Sequence, residues 1–443
     1  MHRLSSFLVI FLLVSVGLGA SDPNLNWPQW RGPHANGTST TAKDLPVTWS
    51  ETENVEWRVK LPSWSAATPI VWDDVVLVTS AEEGFGARGS GSKDKLSKVK
   101  LSKDKLLLLA VNRKDGSILW RRETGNSNRF VQKQNMASPS PVTDGKHIWV
   151  MTGTGTLTCF DYKGNQVWQR NIQTDYGRFG LNHGYASSPK LFGDRLYIQV
   201  LHGMTTDDPS YVFAVDRASG KTLWKVNRPT DARRESPDNY STPLIADVGG
   251  KKQLIVSGGD YVTGHDLDSG KELWRMGGFN PAGDPYYRTI ASSILLDGVV
   301  YTTSTRGRPF IAFRAGGSGD ISKTNVVWQN NLGSDVPTPT TDGKRIYVLG
   351  DKGIVVALDA KSGKMIWDRQ RIEPGIYSSS PTLADGKIYA TSEDGTTTVL
   401  QAGDEFKILA TNKLDSHTLA SPAAAGNQLF MRTADYLYCL RKQ

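Results

Sequence analysis

Val355–Trp367 reads VVALDAKSGKMIW. An apolar run reaches a small residue, Ala357. An acid follows two positions later at Asp359, then Ser362-Gly363-Lys364, then Trp367. The small and β-branched residues of the run predict a buried strand. The aspartate at its end is placed to accept hydrogen bonds from the N–H groups of the following turn. Gly363 supplies the positive φ that such a turn requires. Trp367 opens the next strand, where its flat face is expected to bury against a neighbouring unit while the indole N–H finds a carbonyl.

The same unit recurs along the chain. FAVDRASGKTLW ends at Trp224, TGHDLDSGKELW at Trp274, LAVNRKDGSILW at Trp120 and TCFDYKGNQVW at Trp168, with looser copies ending at Trp328 and near Leu409. A self-similar period of roughly 40 to 55 residues is the signature of a propeller or solenoid. Upstream of each unit stands Ser/Thr-Pro before another apolar strand, at Pro69, Pro141, Pro189, Pro243, Pro339, Pro381 and Pro422, with Ile294 taking the place in one unit. Four strands per unit and eight units predict an all-β fold, an eight-bladed β-propeller of antiparallel blades.

The ends of the chain fit a closed ring. The last unit, SPAAAGNQLFMRTADYLYCLRKQ, stops at its third strand, whereas NVEWRVKLP (Asn54–Pro62) is a Trp strand with nothing in front of it. The N-terminal strand is expected to complete the C-terminal blade, which removes two exposed sheet edges.

Residues 1–20 read as a secretory signal, with a short polar start, an apolar core from Phe7 to Val16, and small residues at Gly17, Gly19 and Ala20. That core is too short to span a bilayer comfortably, and no other stretch is long enough. An exported protein, periplasmic or extracellular, is expected. Residues 21–53 form an N-terminal arm whose NWPQWRGPHANGTS run fits no regular element. Trp27 and Trp30 are expected to plug a groove on the ring, a partner-docking peptide being the other reading. The propeller then occupies residues 54–443.

Residues 81–105 interrupt the first blade with a Lys/Gly/Ser-rich insertion, seven Lys/Arg against four acids. Its Gly84-Phe85-Gly86-Ala87-Arg88-Gly89 matches a dinucleotide fingerprint, but no helix and no βαβ unit follow, so that reading fails. Lys98, Lys100, Lys103 and Lys105 fit a solvated loop or an anionic partner. The net charge of +8 is spread over every blade, and no aromatic–basic stripe marks a nucleic-acid surface.

In the aligned third strands, the position two before the acid reads Ala110, Cys159, Ala214, Gly264, Ala312, Ala357, Val399 and Cys439. Both cysteines fill a small packing position in separate blades. They are expected to be buried and reduced. The seven histidines show no zinc spacing, there is no G-x-S-x-G elbow, and Gly220-Lys221-Thr222 lacks the upstream glycine of a P-loop.

Function is therefore sought in the loops preceding each Ser/Thr-Pro, which gather at one mouth of a propeller's channel. They carry Trp64, Asn135, His183, Tyr185, Asp238, Asn239, Tyr240, Tyr286, Arg288, Asp335, Tyr377 and His417. Aromatic, cationic and acidic groups together suit a binding mouth. The same residues also suit packing between loops.

The Ala-x-Asp-x-x-Ser-Gly-Lys-x-x-Trp copies, from about Asn54 to the C-terminus, resemble the PQQ-like (pyrroloquinoline-quinone-like) repeat family. Its eight-bladed propellers include quinoprotein alcohol dehydrogenases and the BamB-type subunit of the outer-membrane assembly machine. The WPQWRGP…NG start resembles that of secreted bacterial members. For the dehydrogenases the resemblance implies adjacent cysteines over the quinone, a Glu/Asn/Asp calcium set and an aspartate base. This chain has no Cys-Cys pair, and only Asp335 and Arg288 offer themselves as base and carbonyl-polarising group. It also has no cysteine to lipidate after the apolar core.

The resulting expectation is an exported, non-catalytic scaffold that binds an envelope protein, a peptide or a glycan at its mouth, without metal or cofactor. The alternatives are a dehydrogenase that uses quinone and calcium, and a carbohydrate-active enzyme with paired carboxylates at the mouth.

Overall fold

The computed structural model describes residues 21–82, 100–101, 104–130 and 133–443. The segment read as a secretory signal and most of the 81–105 insertion lie outside the described residues. Eight four-stranded antiparallel blades close into a ring. Their inner strands begin at Ile70, Val142, Lys190, Leu244, Ile294, Thr340, Thr382 and Ala423, numbered here as blades 1 to 8. Blade 6 shows the pattern, with Thr340–Thr341, Arg345–Leu349, Ile354–Asp359 and Met365–Arg371 in that order across the sheet. Blade 8 takes Ala423–Ala425, Gln428–Arg432 and Tyr436–Leu440 from the C-terminus and its outer strand, Val55–Lys60, from the N-terminus. Ring closure is as the sequence predicts.

Each part of the repeat has its expected partner. Asp359 Oδ1 accepts from Ser362 N–H at 2.8 Å, and Asp216 Oδ1 from Ser219 N–H at 2.7 Å. Several indoles cross to the next blade and donate to the carbonyl of the residue after that blade's aspartate: Trp224 to Leu267 at 2.9 Å, Trp328 to Ala360 at 2.9 Å, Trp168 to Arg217 at 3.0 Å. The indole lies flat on the next blade's turn glycine. A Cβ on Gly363 would come within 2.6 Å of the Trp328 ring, and that residue sits at φ 70°. Glycine is thus required twice there, by the backbone and by the stacked ring. Trp274 differs and donates to Gln253 Oε1 in its own blade.

The small position in the third strand is explained by register. Ala110, Cys159, Ala214 and Gly264 stand directly opposite Trp120, Trp168, Trp224 and Trp274, and Cys439 opposite Trp57. A large side chain there would collide with the indole across the ladder. Both cysteines are free and buried, as expected.

The Ser/Thr before each proline has a role that was not legible in the repeat. Its hydroxyl accepts the backbone N–H of the same position one blade earlier. These bonds run from Thr68 to Ser140, Ser188, Thr242, Ser292, Thr338, Ser380 and Ser421 at 2.9–3.2 Å. They form a belt around the channel. In blade 5 the belt passes through Ser292, so Ser293, rather than Ile294, stands in the proline's place; Ile294 begins the strand. The step from Ser421 back to Thr68 is missing among the described residues, and the Thr68 hydroxyl is buried without a partner. That seam is bridged instead by arginines. Arg432 donates to the Ser63 carbonyl at 2.8 Å and to that of Thr79. Arg113 donates to the Ala425 carbonyl at 2.8 Å.

The arm plugs the end of the channel remote from the loops that precede each inner strand. Consecutive residues address successive blades. Trp27 pairs with Val71, the Pro28 carbonyl accepts Thr143 N–H, and Gln29 meets Lys190. Trp30 donates to Ser292 Oγ, and Arg31 reaches the Pro339 and Pro381 carbonyls. Trp27 is fully buried, as expected of a plug, whereas Trp30 stays half-exposed.

Candidate functional site

The opposite end of the channel opens into a pocket of about 400 Å³. All eight loops that lead into inner strands reach it: Ala66 from 61–69, Lys133 and Gln134 from 126–141, His183 from 172–189, and Tyr240 from 228–243. The others are Arg288 and Ile290 from 277–293, Asp335 and Val336 from 331–339, Ile376 to Ser378 from 372–381, and Leu419 from 414–422. Asp351 joins them from the turn between the second and third strands of blade 6. Such turns lie on the same face because strands alternate in direction. The insertion of blade 1 also joins a second strand to a third, so its ends rise on this face, where Lys100–Leu101 pairs with Arg129–Phe130.

Of the residues proposed from sequence, His183, Tyr240, Arg288, Asp335 and Tyr377 come together around the pocket. Trp64, Asn135, Tyr185 and Asn239 do not line it; they brace the loops from inside. Asn135 Nδ2 donates to the Trp64 carbonyl at 2.8 Å, and Tyr185 Oη to the Gln199 carbonyl at 3.1 Å. Asn239 donates to the Ser257 carbonyl and accepts from Ser241 N–H. His417 is half-buried beside the pocket, its carbonyl accepting Ala434 N–H at 2.7 Å. Tyr286 is 45% exposed on the crest of its loop.

The charges at the mouth are mostly paired by residues that sequence reading missed. Buried Glu235 places one oxygen 3.2 Å from His183 Nε2 and the other 3.7 Å from Arg288 Nη1. Burial, aided by Arg288 and opposed by Glu235, holds the His183 pKa below its usual value. His183 N–H donates to Tyr240 Oη at 3.1 Å. Across the pocket, buried Glu393 takes the Lys133 ammonium at 2.6 Å and the Ser378 hydroxyl at 2.5 Å. Asp335 and Asp351 form no ion pair among the described residues. Asp335 accepts Arg306 N–H at 2.9 Å, and Asp351 accepts Val336 N–H at 3.2 Å. Burial, helped by the neighbouring Asp335, raises the Asp351 pKa. Glu235 lies five residues before Tyr240 and was within reach of sequence reasoning. Asp351 and Glu393 sit in short turns, Gly-Asp-Lys-Gly and Ser-Glu-Asp-Gly, that look like ordinary hairpin connections.

Between these charges the floor is aliphatic: Ile290, Val336, Ile376 and Leu419. Ile376 is 49% exposed. The arrangement can hold an apolar side chain with a cation beside it, at Asp335 and Asp351.

Asp238 sets the wall. Its carboxylate accepts from Asn182 N–H at 2.7 Å, Gly203 N–H at 2.9 Å and Met204 N–H at 3.2 Å, tying three segments together. Burial outweighs these bonds and raises its pKa from 3.8 to about 6. Between those values the folded chain keeps a proton that the unfolded chain releases. This group's contribution to stability therefore falls as pH rises through that window. Relative to the natural chain, Asp238→Asn should gain stability from pH 4 to pH 6, by up to roughly 3 kcal/mol, and then level off. Urea midpoints of both chains across that range test this; a constant difference would show that the carboxyl is not raised.

The family described as outer membrane protein assembly factor BamB matches residues 33–178, 103–324 and 317–406. The outer membrane protein assembly factor BamB of Yersinia pestis is 21% identical over 340 residues, 73% of this chain and 79% of its own length. The polyvinylalcohol dehydrogenase of Sphingopyxis sp. (strain 113P3) is 22% identical over 406 residues; the match takes in 86% of this chain but only 56% of that enzyme. Among solved structures, BamB from Moraxella catarrhalis superposes with a TM-score of 0.57 at 14% identity, over 87% of this chain and 98% of its own. Quinohemoprotein alcohol dehydrogenase from Comamonas testosteroni gives 0.66 at 11%, over 95% and 81%. At such identities these superpositions establish the fold alone. Among the described residues no helix is long and apolar enough to cross a membrane.

Proposed function

The chain belongs to the family described as outer membrane protein assembly factor BamB, and from that premise we propose that it is a non-catalytic scaffold of the cell envelope that binds a segment of a partner protein at its channel mouth. The observation that carries this reading is the convergence of all eight loops on one aliphatic floor whose Ile376 is 49% exposed. An exposed apolar surface rimmed by polar groups is what a protein-binding site presents. The self-neutralised Glu235–His183–Arg288 and Glu393–Lys133 groups would shape the rim, and Asp335 and Asp351 would take a basic side chain of the bound segment.

The match to a dehydrogenase raises the second reading, quinone-dependent oxidation. The donor set fits a calcium-held quinone poorly. Cations facing a tricarboxylate quinone would favour its binding, yet Lys133 lies 2.6 Å from Glu393 and Arg288 3.7 Å from Glu235. Cys159 and Cys439 are buried opposite tryptophans in separate blades, and no disulfide joins them. Among the described residues no group of three His, Cys, Asp or Glu side chains is placed to hold a metal ion.

Two measurements decide. A photo-crosslinking residue at position 336, in the same pocket lining as Ile376, should capture an envelope protein, whereas the same group at Leu25, exposed on the plugged end, should not. Ile376→Glu should cut that capture at least tenfold while moving the melting midpoint little, since surface changes cost within about 0.5 kcal/mol. Equal capture at both positions would remove the mouth from the proposal. Titration with pyrroloquinoline quinone and calcium should give no saturable quenching. Stoichiometric binding with alcohol-driven dye reduction would make the protein an oxidoreductase.

A further inference from the structure

Lys190 begins the inner strand of blade 3 and is 9% exposed. An ammonium carries three N–H donors. Among the described residues its one hydrogen-bond partner is the Gln29 amide oxygen, at 2.9 Å, a neutral group of the arm. Among the described residues Lys190 makes no ion pair, and burial alone lowers its pKa, to about 8, so the amine stays mostly protonated at neutral pH. Two residues along the arm from Gln29, Arg31 is a second buried cation, and its hydrogen bonds among the described residues all go to carbonyl oxygens. The plugged end of the channel thus gathers two positive charges, neither with a countercharge among the described residues. Buried charges are ordinarily paired, because removing one from water without a partner is expensive.

Beside Lys190 lies a cavity of about 10 Å³, bounded by Gln29, Trp30 and Ala35 of the arm and by Thr242, Leu244 and Ser292 of blades 4 and 5. It is room for about one water-sized particle. Sulfate, phosphate and carboxylates are too large. We propose that this cavity is a site for a single small monovalent anion, chloride in a physiological medium, held by the Lys190 ammonium at the seam between arm and ring. A water molecule would satisfy the geometry but not the charge. The anion would bind only while the arm is seated, because Gln29, Trp30 and Ala35 form one wall. Anion binding and arm docking are then linked, each stabilising the other.

The test uses the full mature chain. Its melting midpoint should be several degrees higher in sodium chloride or bromide than in sodium gluconate at equal ionic strength, and Lys190→Met should abolish the difference. Bromide soaked into crystals of the natural chain should give an anomalous peak next to Lys190 Nζ. The proposal fails if the midpoint ignores the anion, if Lys190→Met keeps the halide effect, or if no bromide lies at Lys190. Should Lys190→Met not fold, the bromide peak on the natural chain decides alone.

Discussion

Trp57→Ala should lower stability by about 4 kcal/mol, the scale for emptying a buried tryptophan site, and it should do so by opening the ring. Trp57 is 7% exposed and comes from the strand that the N-terminus lends to the C-terminal blade. Its indole donates to the Arg113 carbonyl at 2.8 Å and lies on Gly116, where a Cβ would come within 2.8 Å of the ring. The same plug joins other pairs of blades. Here it works at the one seam where the Ser/Thr belt is broken, so less remains to hold the blades together when it goes. Trp224→Ala is the matched control, at 8% exposure and with the same glycine beneath, but with an intact belt beside it. Urea unfolding should show a larger loss and a broader transition for Trp57→Ala than for Trp224→Ala. Trp57→Phe should recover most of the loss, failing by about 1 kcal/mol for the missing N–H bond. Equal losses for the two alanine variants would mean that the arginine bridges make the seam as strong as the rest of the ring.

Arg31→Met should release the arm while leaving the ring folded. The guanidinium is 1% exposed and donates to the carbonyls of Pro381 at 2.7 Å, Pro339 at 2.8 Å, Asn36 at 3.2 Å and Thr338 at 3.4 Å. Methionine fills part of the volume but leaves those oxygens buried and unpaired. A loss of about 3 kcal/mol is expected from that alone. Gly37→Ala should act similarly, because its Cβ would fall 1.9 Å from Arg31 Nη2. Limited proteolysis should cut residues 21–53 in both variants and spare them in the natural chain, with the circular dichroism of the ring unchanged. Protection of the arm in Arg31→Met would show that Trp27 and the Thr38–Ser39 strand, paired with Leu383–Ala384, seat it unaided.

Much of the fold was legible because its determinants are local and repeated. In Ala357–Trp367 the small residue, the acid, the glycine and the tryptophan each answer to a partner fixed by strand register or by the adjoining blade, and the repeat states that requirement many times over. The orphan Trp57 strand and the unfinished last unit fixed closure for the same reason. The two cysteines were readable as packing residues because they occupy an aligned position opposite a tryptophan.

The mouth was only partly legible. Its loops have no period, so the sequence could name residues near each Ser/Thr-Pro but not which way they face. His183 and Arg288 turned to the pocket, while Asn135 and Asn239 turned inward to satisfy buried backbone groups. Glu393 and Asp351 reached the mouth because alternate strand direction brings the turns between second and third strands to the same face, a fact of topology that their short turns do not encode. By itself the sequence determined the blade, the number of blades and the closing strand, since these rest on hydrogen bonds and packing repeated within each unit. Only the tertiary structure decided the pairing of charges at the mouth, the belt across the blades and the path of the arm from blade to blade, since each depends on groups that are distant in the chain and meet only when the ring is closed.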